Sequence, residues 1–382
     1  MNRFTVTFVL LAFSSVLLMG CPVKDGDVKV VDHIEGLTVQ SIGRDIVNFF
    51  NDLGDKAVIQ VDDIIASAQN GGFLRKVVGV DQSGGVITAV TEAISLAEAI
   101  QEGVLTGQIS WTNEDFEKSG APLAAGGVLT IDLSGLTIFS KDGVTLSLAE
   151  GSTVTYAPDI MLNASFLDHK LESFSLDSSG VLATNLNFKL AAYKAATLNY
   201  ETTIIPPIRK PFVFYIGAVP VSGVASLTFP FGITGTVGAG TSLESGFSGS
   251  SELNVGAAFC DDQWTNNTTY TPFTPVAHPL VVTLSSSGSL SVYMKVQPSL
   301  SLYESSTLTG WAQPYITADA QFIPSPLTFD LYAGLNGGIN YNLKIFDFTL
   351  INKTWNFPGP QWQLYQYTYP YDIPTTFTFT LP

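Results

Sequence analysis

The chain has 382 residues, 46% of them hydrophobic and only 13% charged, with 17 basic against 33 acidic side chains. That is enough apolar mass for one large domain or two. A formal net charge of −16 with no basic cluster disfavours a nucleic-acid or anionic-headgroup partner, because such ligands need clustered cations to neutralise phosphate.

In chain order the first element is a leader. Arg3 is the only cation before Val6–Met19, an apolar run too short to span a bilayer and typical of a signal-peptide core. The run ends in Leu18-Met19-Gly20-Cys21. An apolar residue at −3, a small one at −1 and then a cysteine resembles the lipobox of bacterial lipoproteins. The resemblance implies cleavage after residue 20, a diacylglycerol thioether on Cys21, and a membrane partner reached through that lipid. Pro22, where the inner-membrane retention signal of that family would have Asp, implies the outer membrane or cell surface. The competing reading is an ordinary signal peptide with an incidental cysteine, which leaves a Cys21–Cys260 bridge open. No cofactor is expected beyond the covalent lipid.

Residues 21–35 are polar, mix Asp with Lys, and read as a tether. From Leu37 to Leu53 the apolar positions Val39, Ile42, Ile46, Phe49, Phe50 and Leu53 fall on one helical stripe, and Gly54 follows where a helix would stop. The spacing predicts an amphipathic helix. Runs at 57–61, 63–68, 73–80 and 86–90 read as strands, the last two joined through Asp81–Gly85. Ser95 and Glu98 have the spacing of a capping box, so a short helix is expected before Gly103. The runs Asp63–Ser67, Gly72–Val77, Thr91–Ala93 and Leu96–Ile100, with Phe214–Val221 and Leu331–Leu335 further on, resemble a pattern in large exported bacterial proteins of unknown function. That resemblance implies a secreted, β-rich, non-enzymatic body and assigns no functional residue.

The charged run Asn113–Lys118, followed by Gly120 and Pro122, is the best internal boundary. Beyond it, short β-branched and aromatic runs recur at the spacing of a sandwich or barrel, with turns expected at Lys141–Gly143 and Asp177–Gly180. In the stretch Phe212–Phe259, Phe229, Phe231, Ile233, Gly235, Val237 and Ala239 stand at every second position, and only Glu244 and Glu252 are charged. That is strand periodicity and predicts a buried centre. Asp168-His169-Lys170 reads as a polar hairpin end, and residues 261–279 as a polar loop.

No Walker loop, HExxH, GxSxG or CxxC pair is present, and the three histidines, His33, His169 and His278, sit in unrelated contexts. No catalytic, cofactor-binding or metal-ligating residue is therefore assigned. The C-terminal aromatics Trp311, Tyr315, Trp355, Trp362 and Tyr365 are candidates for stacking on a ligand, against the plainer role of packing the core.

The expectation is a mainly β protein: a signal peptide (1–20), a tether (21–35), a small α+β N-terminal segment (36–120) and a large antiparallel β-sandwich-like body (121–382). It is read as an exported lipoprotein with a structural or adhesive/binding role, its partner a polysaccharide or a protein. The alternatives are a cell-surface carbohydrate-binding protein or glycoside hydrolase, which needs only a pair of carboxylates, and a membrane-inserting β-barrel or pore.

Overall fold

The computed structural model describes residues 28–52, 54, 58–125, 129–303, 306–321, 327–342, 352–357, 359–369 and 376–381. The expected signal peptide (1–20) and Cys21 lie outside these residues. The expected mainly β architecture is what is found: three sheets and two short α-helices among the described residues.

The first sheet is built from β1 (Val28–Val30), β2 (Leu37–Ile42), β3 (Ile46–Asn51), β4 (Ile64–Ser67), β5 (Phe73–Ser83) and β6 (Val86–Ala93), in the order β1-β4-β5-β6-β3-β2. α1 (Leu96–Ala99) follows. Its capping box forms as expected: Glu98 N donates to Ser95 Oγ at 3.2 Å, and Ser95 N donates to Glu98 Oε2 at 2.9 Å. Then come β7 (Glu102–Ile109) and α2 (Asn113–Ser119), which starts on a second capping box, Thr112 with Asp115, and stops at Gly120 in the left-handed region.

The chain next alternates between two larger sheets. To the second sheet it gives β7, β8 (Thr130–Asp132), β9 (Thr137–Lys141), β10 (Val144–Leu148), β11 (Thr153–Thr155), β12 (Asp159–Leu167) and β13 (Lys170–Ala192). To the third it gives β14 (Ala196–Thr203), β15 (Ile208–Ile216), β16 (Val219–Thr228) and β17 (Pro230–Val237). It returns to the second with β18 (Thr241–Cys260), β19 (Gln263–Asn266), β20 (Thr269–Tyr270), β21 (Val276–Ala277) and β22 (Leu280–Leu284). The third then receives β23 (Gly288–Met294), β24 (Gln297–Leu302), β25 (Ser306–Gln321), β26 (Leu327–Asn342), β27 (Asn352–Phe357) and β28 (Gln361–Tyr369). β29 (Phe377–Leu381) closes on β22.

The two larger sheets share one continuous apolar core, which includes Leu182, Leu186 and Phe188 from β13, Leu243 and Phe247 from β18, and Phe231, Ile233, Ile316, Phe329 and Leu331 from the third sheet. Phe229, Phe231 and Ile233 are fully buried, as the period-2 reading of this stretch predicts. The first sheet keeps a separate small core around Phe49, Phe73, Val47 and Ile87. It docks on the body through Ala66 and Leu74, and through Ser222 Oγ, which donates to the Gly71 carbonyl at 3.1 Å. Gly72 at this joint has φ +81°, and a Cβ there would lie 1.6 Å from Ser222 Oγ, so only glycine fits.

Four sequence expectations are corrected. Residues 37–53 form the β2–β3 hairpin, not a helix: Leu37, Val39, Val47 and Phe49 are buried while Ile46 and Phe50 are exposed. The helical stripe was accidental, because Gly43 turns the chain (Gly43 N to Ile46 O, 2.7 Å) and β6 supplies β3 with a ladder that a helix cannot use. Asp177–Gly180 is no turn. β13 runs through it, because β18 pairs with β13 continuously from Ser173↔Cys260 to Ala192↔Thr241. The tether is shorter than 21–35, since Val28–Val30 already pairs in parallel with Ile64–Ala66. Residues 58–61 hold no strand.

The small segment is also not closed at residue 120. β7 pairs with β12 of the second sheet, and Lys210 Nζ on β15 donates to Asp115 Oδ2 (2.8 Å) and to the Ser110 carbonyl (2.6 Å), tying α2 to the body. Burial would raise the Asp115 carboxyl, but the Lys210 and Thr112 hydrogen bonds hold it below the usual carboxylate range.

Candidate functional site

The candidate aromatics are divided by strand parity. Along β25, Leu308, Ala312 and Ile316 are buried, so Trp311 and Tyr315 point away from the core. Trp355, Trp362 and Tyr365 stand opposite Ile339, Ala333 and Leu331, all buried, and so face inward. Trp362 meets Phe273 edge-on at 6.2 Å, and Tyr365 Oη donates to the His278 carbonyl at 3.2 Å. The five therefore do not share one groove. Three pack the sandwich edge, and two belong to the outer face of the third sheet.

On that outer face each aromatic lies across a glycine of the neighbouring strand. Tyr315 is opposite Gly334, and a Cβ on Gly334 would lie 2.5 Å from the ring end of Tyr315. Trp311 is opposite Gly338, where a Cβ would lie 2.5 Å from the indole nitrogen. Without Cβ atoms there, the two rings lean across the sheet onto the neighbouring strand. Tyr293 repeats the arrangement over Gly232. Its hydroxyl donates to Glu201 Oε2 at 2.8 Å, while Lys295 sits 5.3 Å over its ring and bonds the same carboxylate. Burial pushes the Tyr293 phenol up to about 12, and the Glu201 hydrogen bond adds to this. Burial opposes the ionised form of Glu201, but the Lys295 and Tyr293 bonds hold its carboxyl below its ordinary value.

Amides surround the rings, and two carboxylates lie further along the same strands. Gln313 lies between Trp311 and Tyr315 on β25. Tyr332 and Asn336 flank Gly334 on β26, and Gln361 and Gln363 are exposed on β28 opposite Gly334 and Tyr332. Asp319 and Asp330 face each other across β25 and β26. Each is held by a neutral donor, Ser289 Oγ on Asp319 and Gln363 Nε2 on Asp330 at 2.8 Å. Like charges directly opposite in a ladder are unfavourable, and these two carboxylates are drawn to donors on different strands, β23 and β28.

Sequence reasoning singled out Trp311 and Tyr315 but missed Tyr293, Tyr332, the supporting glycines and the glutamines. One signal was available: in Gln361-Trp362-Gln363 and Gln366-Tyr367 the glutamines alternate with the aromatics, which puts the two sets on opposite faces. The Gly–aromatic pairs were not readable, because their members lie 19 to 61 positions apart in the chain (315 to 334, 232 to 293).

The remaining candidates are dispersed. His169 lies in the β12–β13 turn with φ +59°, a polar hairpin end as expected. His278 bonds Asn187 at 2.6 Å, and burial lowers its pKa. Cys260 is an exposed free thiol at the end of β18. Among the described residues no group of three or more His, Cys, Asp or Glu is arranged to hold a metal ion, and no helix is long and apolar enough to cross a membrane. No family model, no curated protein and no solved structure matches the chain.

Proposed function

We propose that the protein is an exported lipoprotein, anchored through Cys21, whose β body works by binding a partner at the envelope or cell surface and not by chemistry. The observation that carries this reading is the outer face of the third sheet, where Trp311 and Tyr315 lean over Gly338 and Gly334 among Gln313, Asn336, Gln361 and Gln363. Tyr and Trp held in one orientation offer contact area at little entropic cost, and surrounding amides supply direction. The distribution of polarity supports this reading over a membrane-inserted barrel. Most apolar residues fill the interior between the sheets, with scattered exceptions such as Val104 and Tyr215, whereas the outer faces carry Ser, Thr, Asn and Gln ladders such as Ser165–Ser173 (2.6 Å) and Thr317–Ser291 (3.1 Å). A barrel in lipid shows the reverse.

Two measurements test it. Cys21→Ser should abolish palmitate labelling and move the protein from the membrane to the soluble fraction. Labelling that persists in the variant rejects the anchor. The released Cys21→Ser chain, added back to envelopes of cells lacking it, should bind saturably. Linear, unsaturable retention rejects the binding role.

A further inference from the structure

We infer that the outer face of β25, β26 and β28 is a glycan-binding platform for a neutral polysaccharide chain, with Trp311 and Tyr315 as stacking surfaces. The inference rests on the binding reading above and names its ligand class. Three features of the face point to neutral sugar.

The first is shape. Each ring is seated over a glycine and is partly exposed, and a flat ring face matches the apolar face of a pyranose. Trp311 and Tyr315 are four positions apart on one extended strand, about 14 Å along the sheet at the usual rise per residue. That distance is too long for one monosaccharide, so the platform fits successive rings of an extended chain.

The second is charge. Among the described residues of β25, β26 and β28 on this face the charged groups are Asp319 and Asp330, and the nearby Lys295 is taken up by Glu201. An acidic face on a chain of net charge −16 repels nucleic acid, acidic peptides, anionic lipid and acidic glycans, so a glycan bound here is a neutral one.

The third is hydrogen bonding. Gln313, Asn336, Gln361 and Gln363 offer both donors and acceptors, and the two carboxylates accept strongly. Sugar hydroxyls donate and accept in the same way. The opposed Asp319 and Asp330 put two such acceptors side by side on neighbouring strands, within reach of the hydroxyls of one sugar unit.

The experiment is depletion of full-length protein, in detergent micelles, by insoluble cellulose, chitin, mannan and β-1,3-glucan. At least one should deplete it, with a soluble oligosaccharide of that polymer competing and its monosaccharide failing to compete. Trp311→Ala and Tyr315→Ala should each weaken binding at least 10-fold, while Tyr315→Phe and the core-facing Trp362→Phe should retain it. Asp330→Asn should weaken binding while raising the melting temperature, a divergence that a merely structural residue would not produce.

If the alanine variants do not fold, Gln313→Glu and Gln363→Ala decide, since both side chains lie on the sheet surface, and each should lower binding several-fold. No depletion by any of the four polymers overturns the inference. So does binding that is unchanged in Gln313→Glu and Gln363→Ala. Saturable envelope binding that persists after glycan binding fails would remove this ligand class and leave the binding role standing.

Discussion

The small first sheet and the two-layer body solve the same problem on different scales. The first sheet has strands of at most 11 residues, its own core around Phe49 and Phe73, and charged links such as Lys29–Asp63 at 2.7 Å. The body has strands of up to 23 residues, one shared core, and outer faces laced by neutral hydroxyl and amide bonds. The short sheet cannot bury both its faces alone, so it depends on a joint with the body at Gly71, Gly72 and Ser222. The body closes on itself, which frees the outer face of its third sheet for other work. Where the aromatics lean over glycine, that face is better suited to contact than to packing.

The largest blow to this contrast should come from Phe231→Ala in the body core. Phe231 is fully buried, and truncating such a side chain costs about 3–5 kcal/mol because a cavity remains. Calorimetry should show the main unfolding transition displaced downward by several degrees. An unchanged transition would mean that this face of β17 is not the centre of the fold.

Gly72→Ala probes the joint. It places a methyl against Ser222 Oγ at a positive φ, for an expected cost of roughly 1–3 kcal/mol. Hydrogen exchange should accelerate in β4 and β5 while β13 and β18 stay protected. Equal acceleration in all four would show that the two cores unfold as one unit.

Asp115 sharpens the boundary between the regions. Its folded-state pKa is lowered, so its contribution is present above the unfolded carboxylate value of about 3.9 and is lost as pH falls through the lower folded value. Asp115→Asn removes the Lys210 ion pair and half of a capping box, for about 1–2 kcal/mol near neutral pH. The deficit relative to the parent should shrink below about pH 3.9, as read by thermal unfolding across a pH series. A deficit constant with pH would assign the role of Asp115 to packing.

The smallest effect belongs to the outer face. Asp319→Asn relieves the opposed carboxylates and should raise stability by about 0.2–1 kcal/mol. A loss of stability in that variant would show the pair to be bridged already in the free protein.

What was legible in the sequence is what neighbouring residues decide between themselves. Ser95 and Glu98 cap a helix across three positions, and Asp142-Gly143 turns a hairpin with both φ angles positive. The alternation through Phe229, Phe231 and Ile233 marks a strand with one buried face. Such features need no distant partner, so their energetics are written locally. Residues 37–53 show the limit. Their apolar spacing suits a helix or a hairpin equally well, and β6, some forty positions away, decides for the hairpin by pairing with β3 (Phe49↔Ile87, 87 − 49 = 38). Likewise Asp177–Gly180 has turn composition, yet β18 draws it straight by offering a ladder along its whole length. The division between Trp311 and Trp362 was decided at the same level. Alternation says that an aromatic faces one side of its strand, but only the sheet packed against that strand determines which side is the interior.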